Sequence, residues 1–406
     1  MTETYDVAIV GGGVIGCSLA RVLSLKKPGL KVAIIEKEKD LALHTSGRNS
    51  GVVHSGFHPK PGSLKARLCV EGNRMIREFA KMRNVPISQV GTLVVARNEG
   101  ELKMLSHFKN RAEANLVPGV TILGAQEMRK LENNVEGLAA LHSPTGCIID
   151  SKALVQSVAE DAVRNGAKLL LGWRLLAVKE TTEGLILRTS EGEVSSRLLV
   201  NCGGLYADTI AHMLGAGMKY VIIPFRGEYY QTVPDKRSIV GSMVYPTPDP
   251  DLPFLGIHFT KTVHGSVIVG PNAVLAAGRE AYGAFQFNFK EFLSTITETR
   301  FIKLITDPEF ISLATRQLRT SLSKSAFVAE ARTLVPSLRE DDLTRGFSGI
   351  RAQLVDEKGR LVDDFVIDYT AHSVHILNAV SPGLTCSLAF GDYLVDVLTE
   401  KGYIPS

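Results

Sequence analysis

Tyr5-Asp6-Val7-Ala8-Ile9-Val10, Gly11-Gly12-Gly13-Val14-Ile15-Gly16 and Lys31-Val32-Ala33-Ile34-Ile35-Glu36 decide the fold. The first run is short, apolar and β-branched, and it meets the glycines with no linker. Ile15, Leu19, Val22 and Leu23 then recur at helical spacing before the second apolar run ends in an acid. Strand, glycine turn, helix, strand and acid in that order predict a dinucleotide-binding βαβ unit. Gly11 allows the tight turn, Gly13 brings backbone N–H groups up to a pyrophosphate, and Gly16 lets the helix sit close on its strand. The helix N-terminus adds unpaired donors and partial positive charge. Glu36 lies 20 residues beyond Gly16, where a carboxylate accepts hydrogen bonds from ribose hydroxyls.

The remaining 370 residues set limits on this unit rather than competing with it. At 406 residues the chain exceeds one ordinary domain, so two are expected. Its composition is that of a globular protein, 45% hydrophobic and 22% charged. A net charge of +4 gives no footprint for nucleic acid and suits an anionic substrate only mildly. Five scattered cysteines form neither a CxxC pair nor a disulfide framework, which points to a reducing compartment. The first strand begins at once, so no targeting peptide is expected, and no apolar run reaches the length of a membrane span. A cytoplasmic location follows, with attachment to the membrane face as a further reading.

Residues 44–56, His-Thr-Ser-Gly-Arg-Asn-Ser-Gly-Val-Val-His-Ser-Gly, are small, polar and glycine-rich. Such a stretch buries no core but can wrap a large cofactor, which favours FAD over NAD. A helix is expected from Lys65 to about Lys81. Residues 86–145 change to strands, clearest at 91–96, and charged helices. Ser151 is a plausible N-cap for a helix over 152–165. Lys168-Leu169-Leu170-Leu171 reads as a buried strand, and 173–179 with 184–189 as a hairpin. The strand 196–201 ends in Cys202-Gly203-Gly204, a second place where backbone can approach a cofactor. Residues 216–340 look like a second insertion, with a proline-rich loop at 245–251 and a strand over 254–260. Phe287, Phe289, Phe292 and Phe301 read as core or interdomain packing. Glycine and strand return at 349–353, 363–368 and 374–379, before Ser381-Pro382-Gly383-Leu384-Thr385 turns into a final helix.

These stretches resemble the D-amino-acid-oxidase-like FAD oxidoreductases. The resemblance implies an α/β (α+β) fold: a discontinuous Rossmann-like FAD-binding domain (1–85, 146–215, 341–406) with an inserted mixed-sheet substrate-binding domain (86–145, 216–340). Residues 44–56, Lys60 to Ala66, Pro224 to Tyr229, Pro253 to Thr260, Gly270 to Ala276, Gly349 to Gln353 and Leu361 to Phe365 resemble the L-2-hydroxyglutarate dehydrogenase family more closely. One stretch departs from it. Ser381-Pro382-Gly383-Leu384-Thr385 is similar to FAD-dependent glycerol-3-phosphate dehydrogenases, a sister group, so both substrates are carried forward.

Either resemblance implies the same chemistry. A secondary alcohol gives its hydroxyl proton to a base and its carbon-bound hydrogen, as hydride, to flavin N5. A quinone, another carrier or oxygen then takes the electrons. His54 is the first candidate base and His258 the second, since imidazole titrates near neutrality; His44, His58 and His264 rank lower. Arg226 and Arg351 carry the planar fork that suits a carboxylate or phosphate. The alternative for each is a structural ion pair with a neighbour such as Glu228 or Asp363. Arg48, Lys60, Lys65 and Tyr245 are substrate candidates, with Tyr229 behind them. The resemblance places Gly11, Gly13, Val14, Ile15, Gly16, Glu36, Lys37, Thr45, Ser46, Asn49, Ser50 and Gly51 on the cofactor. It adds Leu176, Gly203, Gly204, Arg351, Pro382, Gly383, Leu384 and Thr385. No histidine or cysteine falls in a metal-ligand pattern, so no metal is expected. An amino-acid oxidase or a non-catalytic flavin-binding subunit are the competing readings. The first would need an acid or a desolvated pocket for an ammonium group, which nothing signals. The second leaves the polar segments at 44–56, 226 and 351 without a purpose.

Overall fold

The computed structural model of the chain describes residues 3–248 and 256–405. The end of the loop expected at 245–251 and the start of the strand expected at 254–260 lie outside the described residues.

Thr4–Val10 is the hub of the first sheet. Val32–Glu36 lies parallel on one side of it, with Val7 opposite Val32, and Glu193–Asn201 lies parallel on the other, with Ile9 opposite Val200. The helix Val14–Lys26 crosses between the first two strands and buries Leu19, Val22 and Leu23 beneath them. Each such side chain contributes about 1.5–3 kcal/mol when removed from water. Ser373–Asn378 adds a further parallel strand on Glu193–Asn201. Leu175–Thr181 and Gly184–Thr189 form the expected hairpin, which pairs with the start of Glu193–Asn201 on the same edge as Ser373–Asn378. Lys168–Leu171 is an edge strand and partly exposed, not the buried strand its leucines suggested. The last helix, Gly383–Glu400, packs back on Val14–Lys26 through Gly391, where an added Cβ would stand 3.0 Å from Ser18 backbone.

The second sheet is built around one long antiparallel pair, Val221–Thr232 with Leu343–Val355, whose register runs from Val221 opposite Val355 to Thr232 opposite Leu343. This corrects the segment division at 341: residues 343–355 pair in the second sheet, not in the first. Thr92–Ala96 and Ala139–Ser143 join the same sheet through Met243–Pro246. A small third sheet pairs Val52–Val53 and Ile87–Gln89 with Cys147–Ile149.

Two local readings change. Asp150, not Ser151, caps the helix Ser151–Arg164, its carboxylate accepting from the amides of Lys152 and Ala153 at 3.0 Å. Of the four phenylalanines expected to pack, Phe301 is buried, whereas Phe287 and Phe289 are 58% and 69% exposed. No described helix is long and apolar enough to cross a membrane.

Candidate active site

One cavity of about 480 Å³ runs from the Gly11 turn to the inner face of the second sheet. Backbone makes its first wall. Gly11 has φ +109°, and a Cβ there would lie 2.4 Å from the Cys202 carbonyl oxygen, so the turn and the Cys202-Gly203-Gly204 segment touch main chain to main chain. A Cβ on Gly16 would lie 2.0 Å from the Gly11 carbonyl oxygen, which holds the helix start tight on the strand. Glu36 accepts from the Gly12 amide at 2.7 Å and from the Glu38 amide at 3.0 Å. The Val14 amide donates to the Ser46 hydroxyl at 3.0 Å. Close main chain at the glycines, a hydroxyl beside the helix start and a carboxylate at the end of the second strand suit a dinucleotide's pyrophosphate and ribose. The residues present therefore fit the cofactor that the sequence implies.

The expected cofactor set sorts cleanly along this cavity. Val14, Ile15, Lys37, Thr45, Ser46, Asn49 and Ser50 line it, as do Gly203, Gly204, Pro382, Gly383, Leu384 and Thr385. Gly16 and Gly51 shape turns from behind, Gly51 at φ +68°. Leu176, expected to meet adenine through its backbone, has a side chain 47% exposed, and Trp173, Arg174 and Leu175 before it line the cavity. Gly16→Ala is expected to yield protein that folds weakly and retains little FAD, since overpacking of this kind costs about 1–3 kcal/mol. The ratio of flavin absorbance to protein reads this out. Gly29→Ala, with nothing within 4 Å of its would-be Cβ, should leave that ratio unchanged.

At the far end His54, His258, Tyr245, Tyr229 and Arg351 line the same cavity. His258 comes from the strand His258–Lys261 and its ring stacks on Tyr245 at 4.3 Å. Its Nδ1 lies 2.9 Å from the Gly256 carbonyl, which only accepts, so Nδ1 carries the proton and Nε2 the lone pair of the neutral ring. Burial pushes both His54 and His258 down to about 4, and for His54 the neighbouring His58 and His258 add to the effect. Both rings are neutral at physiological pH. Burial also pushes the Arg351 guanidinium down, to about 10, with Asp363 opposing the shift; it remains a cation at pH 7. Its Nε donates to Gln353 at 2.8 Å.

Three anion candidates fall outside. Arg226 and Glu228 face away from the cavity while Phe225, Gly227 and Tyr229 face into it. Arg226 donates to Glu228 at 3.0 Å and to the Gly283 carbonyl at 3.0 Å, so it is a structural ion pair and not a catalytic group. Lys60 is exposed and sits in the turn before the helix Leu64–Arg83. Lys65 is buried against Asp363 at 2.8 Å, away from the cavity. Arg48 does line it, with its guanidinium 4.2 Å from the centre of the Tyr282 ring.

Lys37, expected on the cofactor, and His44, a lower-ranked base candidate, meet on the cavity wall in a charged cluster. Lys37 pairs with Glu280 at 2.6 Å and with Glu38, while His44 contacts Glu38 at 2.9 Å and the Tyr282 hydroxyl at 2.6 Å. Glu38, His44 and Glu280 are close enough together to hold a cation, but the Lys37 ammonium already occupies the space among them. The only hint in the sequence was the alternation Lys37-Glu38-Lys39. Asn272, in the turn 270–272, also lines the cavity, and its side-chain amide donates to Glu228 at 3.0 Å.

The βαβ wall, the second glycine turn and the shared cavity define a flavin-dependent redox enzyme, and the chain belongs to the FAD dependent oxidoreductase family, whose pattern matches residues 6–397. FAD is its cofactor. Relatives within the family are more specific. The chain is 38% identical to L-2-hydroxyglutarate dehydrogenase of Indibacter alkaliphilus, covering 95% of this chain and 97% of that protein. It is 34% identical to the mitochondrial L-2-hydroxyglutarate dehydrogenase of Homo sapiens, covering 98% and 90%. Among solved structures, dithionite-reduced L-α-glycerophosphate oxidase from Mycoplasma pneumoniae with FAD bound superposes with a TM-score of 0.80 at 26% identity, over 98% of this chain and 95% of that one. Glycine oxidase from Geobacillus kaustophilus, at 18% identity and a TM-score of 0.72, shares the fold alone.

Proposed function

We propose that the chain oxidises the CH–OH group of a small anionic 2-hydroxy acid, L-2-hydroxyglutarate, to 2-oxoglutarate. The observation that carries this reading is the convergence of two neutral histidines and one buried arginine in a single flavin-sized cavity. Relatives bearing that activity cover nearly the whole chain. Bound FAD supplies a two-electron acceptor for the hydride leaving C2. His54 takes the hydroxyl proton, as only a neutral imidazole can. Arg351 pairs with a substrate carboxylate in a desolvated site, where a charge-assisted fork is strong. His258, with Nε2 unprotonated, accepts a hydrogen bond from the substrate or serves as the second base. Arg48, which lines the same cavity, receives the distal carboxylate. The first sheet forms the cofactor side of the cavity and the second sheet the substrate side.

A second reading, sn-glycerol 3-phosphate oxidation to dihydroxyacetone phosphate, is favoured by the Ser381–Thr385 turn lining the cavity. Turnover with an artificial electron acceptor separates the two. Release of 2-oxoglutarate from L-2-hydroxyglutarate, with little turnover of glycerol 3-phosphate, is expected. The reverse preference would hand the chain to the second reading.

Electrons leave to a quinone or another carrier, and we infer that the enzyme meets that acceptor at an anionic lipid surface. Phe285 is 99% exposed beside Phe287 and Phe289, and Phe289, Leu293 and Ile296 form an exposed stripe along the helix Phe289–Ile296. Residues 284–324 hold six basic and four acidic side chains. Glu298 is paired with Arg300 at 2.9 Å and Glu291 accepts from the Arg279 amide at 2.8 Å, leaving Lys290 to face lipid headgroups. Co-sedimentation with phosphatidylglycerol vesicles is expected for the native protein and not for the Phe285, Phe287 and Phe289→Ser variant. Equal binding by both would remove this surface.

A further inference from the structure

The strand Val52–Val53 pairs with Cys147–Ile149 and stops one residue before His54. Sheet register therefore does not place the His54 ring, and something else must. The helix Leu64–Arg83 passes against the start of Gly383–Glu400 so closely that a Cβ on Gly72 would lie 2.1 Å from the Thr385 carbonyl oxygen. The peptide of His54 runs beside that crossing. On one side its N–H donates to the Thr385 hydroxyl at 2.9 Å, and that hydroxyl in turn points at the Val52 carbonyl, 3.5 Å away. On the other side its carbonyl accepts from the Asn73 amide at 3.1 Å, and Asn73 also donates to the Thr145 carbonyl at 2.9 Å. Thr385 is fully buried and Asn73 is 4% exposed, so water does not compete for these bonds.

We propose that Asn73 and Thr385 are positioning residues that hold the His54 peptide from both ends and so aim its imidazole at the substrate hydroxyl. The inference rests on His54 being the base. Neither side chain is asked to touch the substrate. Two rigid helices fix the base through its main chain, which leaves the ring free to exchange a proton while its distance to the hydroxyl stays set. A misplacement of about 1 Å at a reacting group costs roughly 100-fold in rate.

The test is single-turnover flavin reduction by L-2-hydroxyglutarate in the FAD-loaded enzyme. Thr385→Val keeps shape and removes both bonds; measured per bound FAD, it should slow the limiting rate by about 10- to 100-fold while substrate affinity holds. Thr385→Ser, which restores the hydroxyl, should recover the rate. Asn73→Leu is the companion variant for the carbonyl side. His54 amide hydrogen exchange, followed without substrate, should speed up in Thr385→Val. In the double variant with His54→Gln, the Thr385→Val loss should vanish, because both act through one group. Full additivity of the two losses, or a rate drop that only tracks lost FAD, would overturn the positioning role alone. A normal rate in His54→Gln by itself would overturn the base assignment and this inference with it.

Discussion

His54→Gln is expected to slow flavin reduction at saturating L-2-hydroxyglutarate by about 10²- to 10⁴-fold, the usual contribution of a positioned general base. Gln keeps much of the size and hydrogen-bonding capacity of the ring but accepts no proton at neutral pH. Substrate affinity should change little, because the loss falls on the transition state and not on ground-state binding. The pH profile adds an independent check with a definite sign. Burial holds the His54 ring at about 4, so it is already unprotonated at pH 7 and becomes protonated only as pH falls through that value. kcat/KM should therefore stay level on the acid side of neutrality and bend downward near pH 4, well below where an exposed histidine would titrate. An acid limb at the ordinary imidazole value would place the base elsewhere. Stopped-flow absorbance at the flavin band measures both quantities.

Arg351→Met should weaken substrate binding by roughly 100-fold, equivalent to about 3 kcal/mol for a charge-assisted bond lost in a dry site. Met removes the charge at similar length. Arg351→Lys should recover only part of the loss, since a point charge replaces a two-pronged donor. The Arg351 fork lies on the long strand Leu343–Val355 and faces the cavity, whereas Arg226, its near counterpart on the partner strand, is engaged by Glu228 on the other side. Arg226→Met should accordingly lower thermal stability and leave the dissociation constant of the substrate almost unchanged. Equilibrium titration of oxidised enzyme with 2-oxoglutarate, an unreactive product, reads the binding term without turnover. Equal affinity in Arg351→Met would remove it from the anchor role.

Part of this site was legible because it is local. The glycine turn demands a small residue at a left-handed backbone position, another at a helix–strand contact and an acid at the next strand end, all within forty residues. The polar stretch 44–56 could be recognised because nothing in it can fill a core. What was not legible depends on pairings far apart in the chain. Residues 343–355 read as a return to the first sheet, yet they pair with Val221–Thr232 more than a hundred residues earlier. Arg226 against Phe225 shows the same limit at finer scale. Period-two alternation says that neighbours oppose each other, but only the partner strands decide which neighbour looks inward. The phenylalanines at 287 and 289 mark a different failure. Their spacing signals an apolar face, while the described residues leave both rings largely exposed. The clamp on His54 was invisible for a related reason: it joins Asn73 and Thr385, which lie over three hundred residues apart, through one peptide.

Anaerobic single-turnover reduction with L-2-hydroxyglutarate carrying deuterium at C2 bears most directly on the proposed chemistry. The yellow enzyme should bleach, one 2-oxoglutarate should form per flavin, and the deuterated substrate should bleach it measurably more slowly. Full retention of colour, or bleaching at the same rate with either isotope under conditions where chemistry is limiting, would contradict that chemistry.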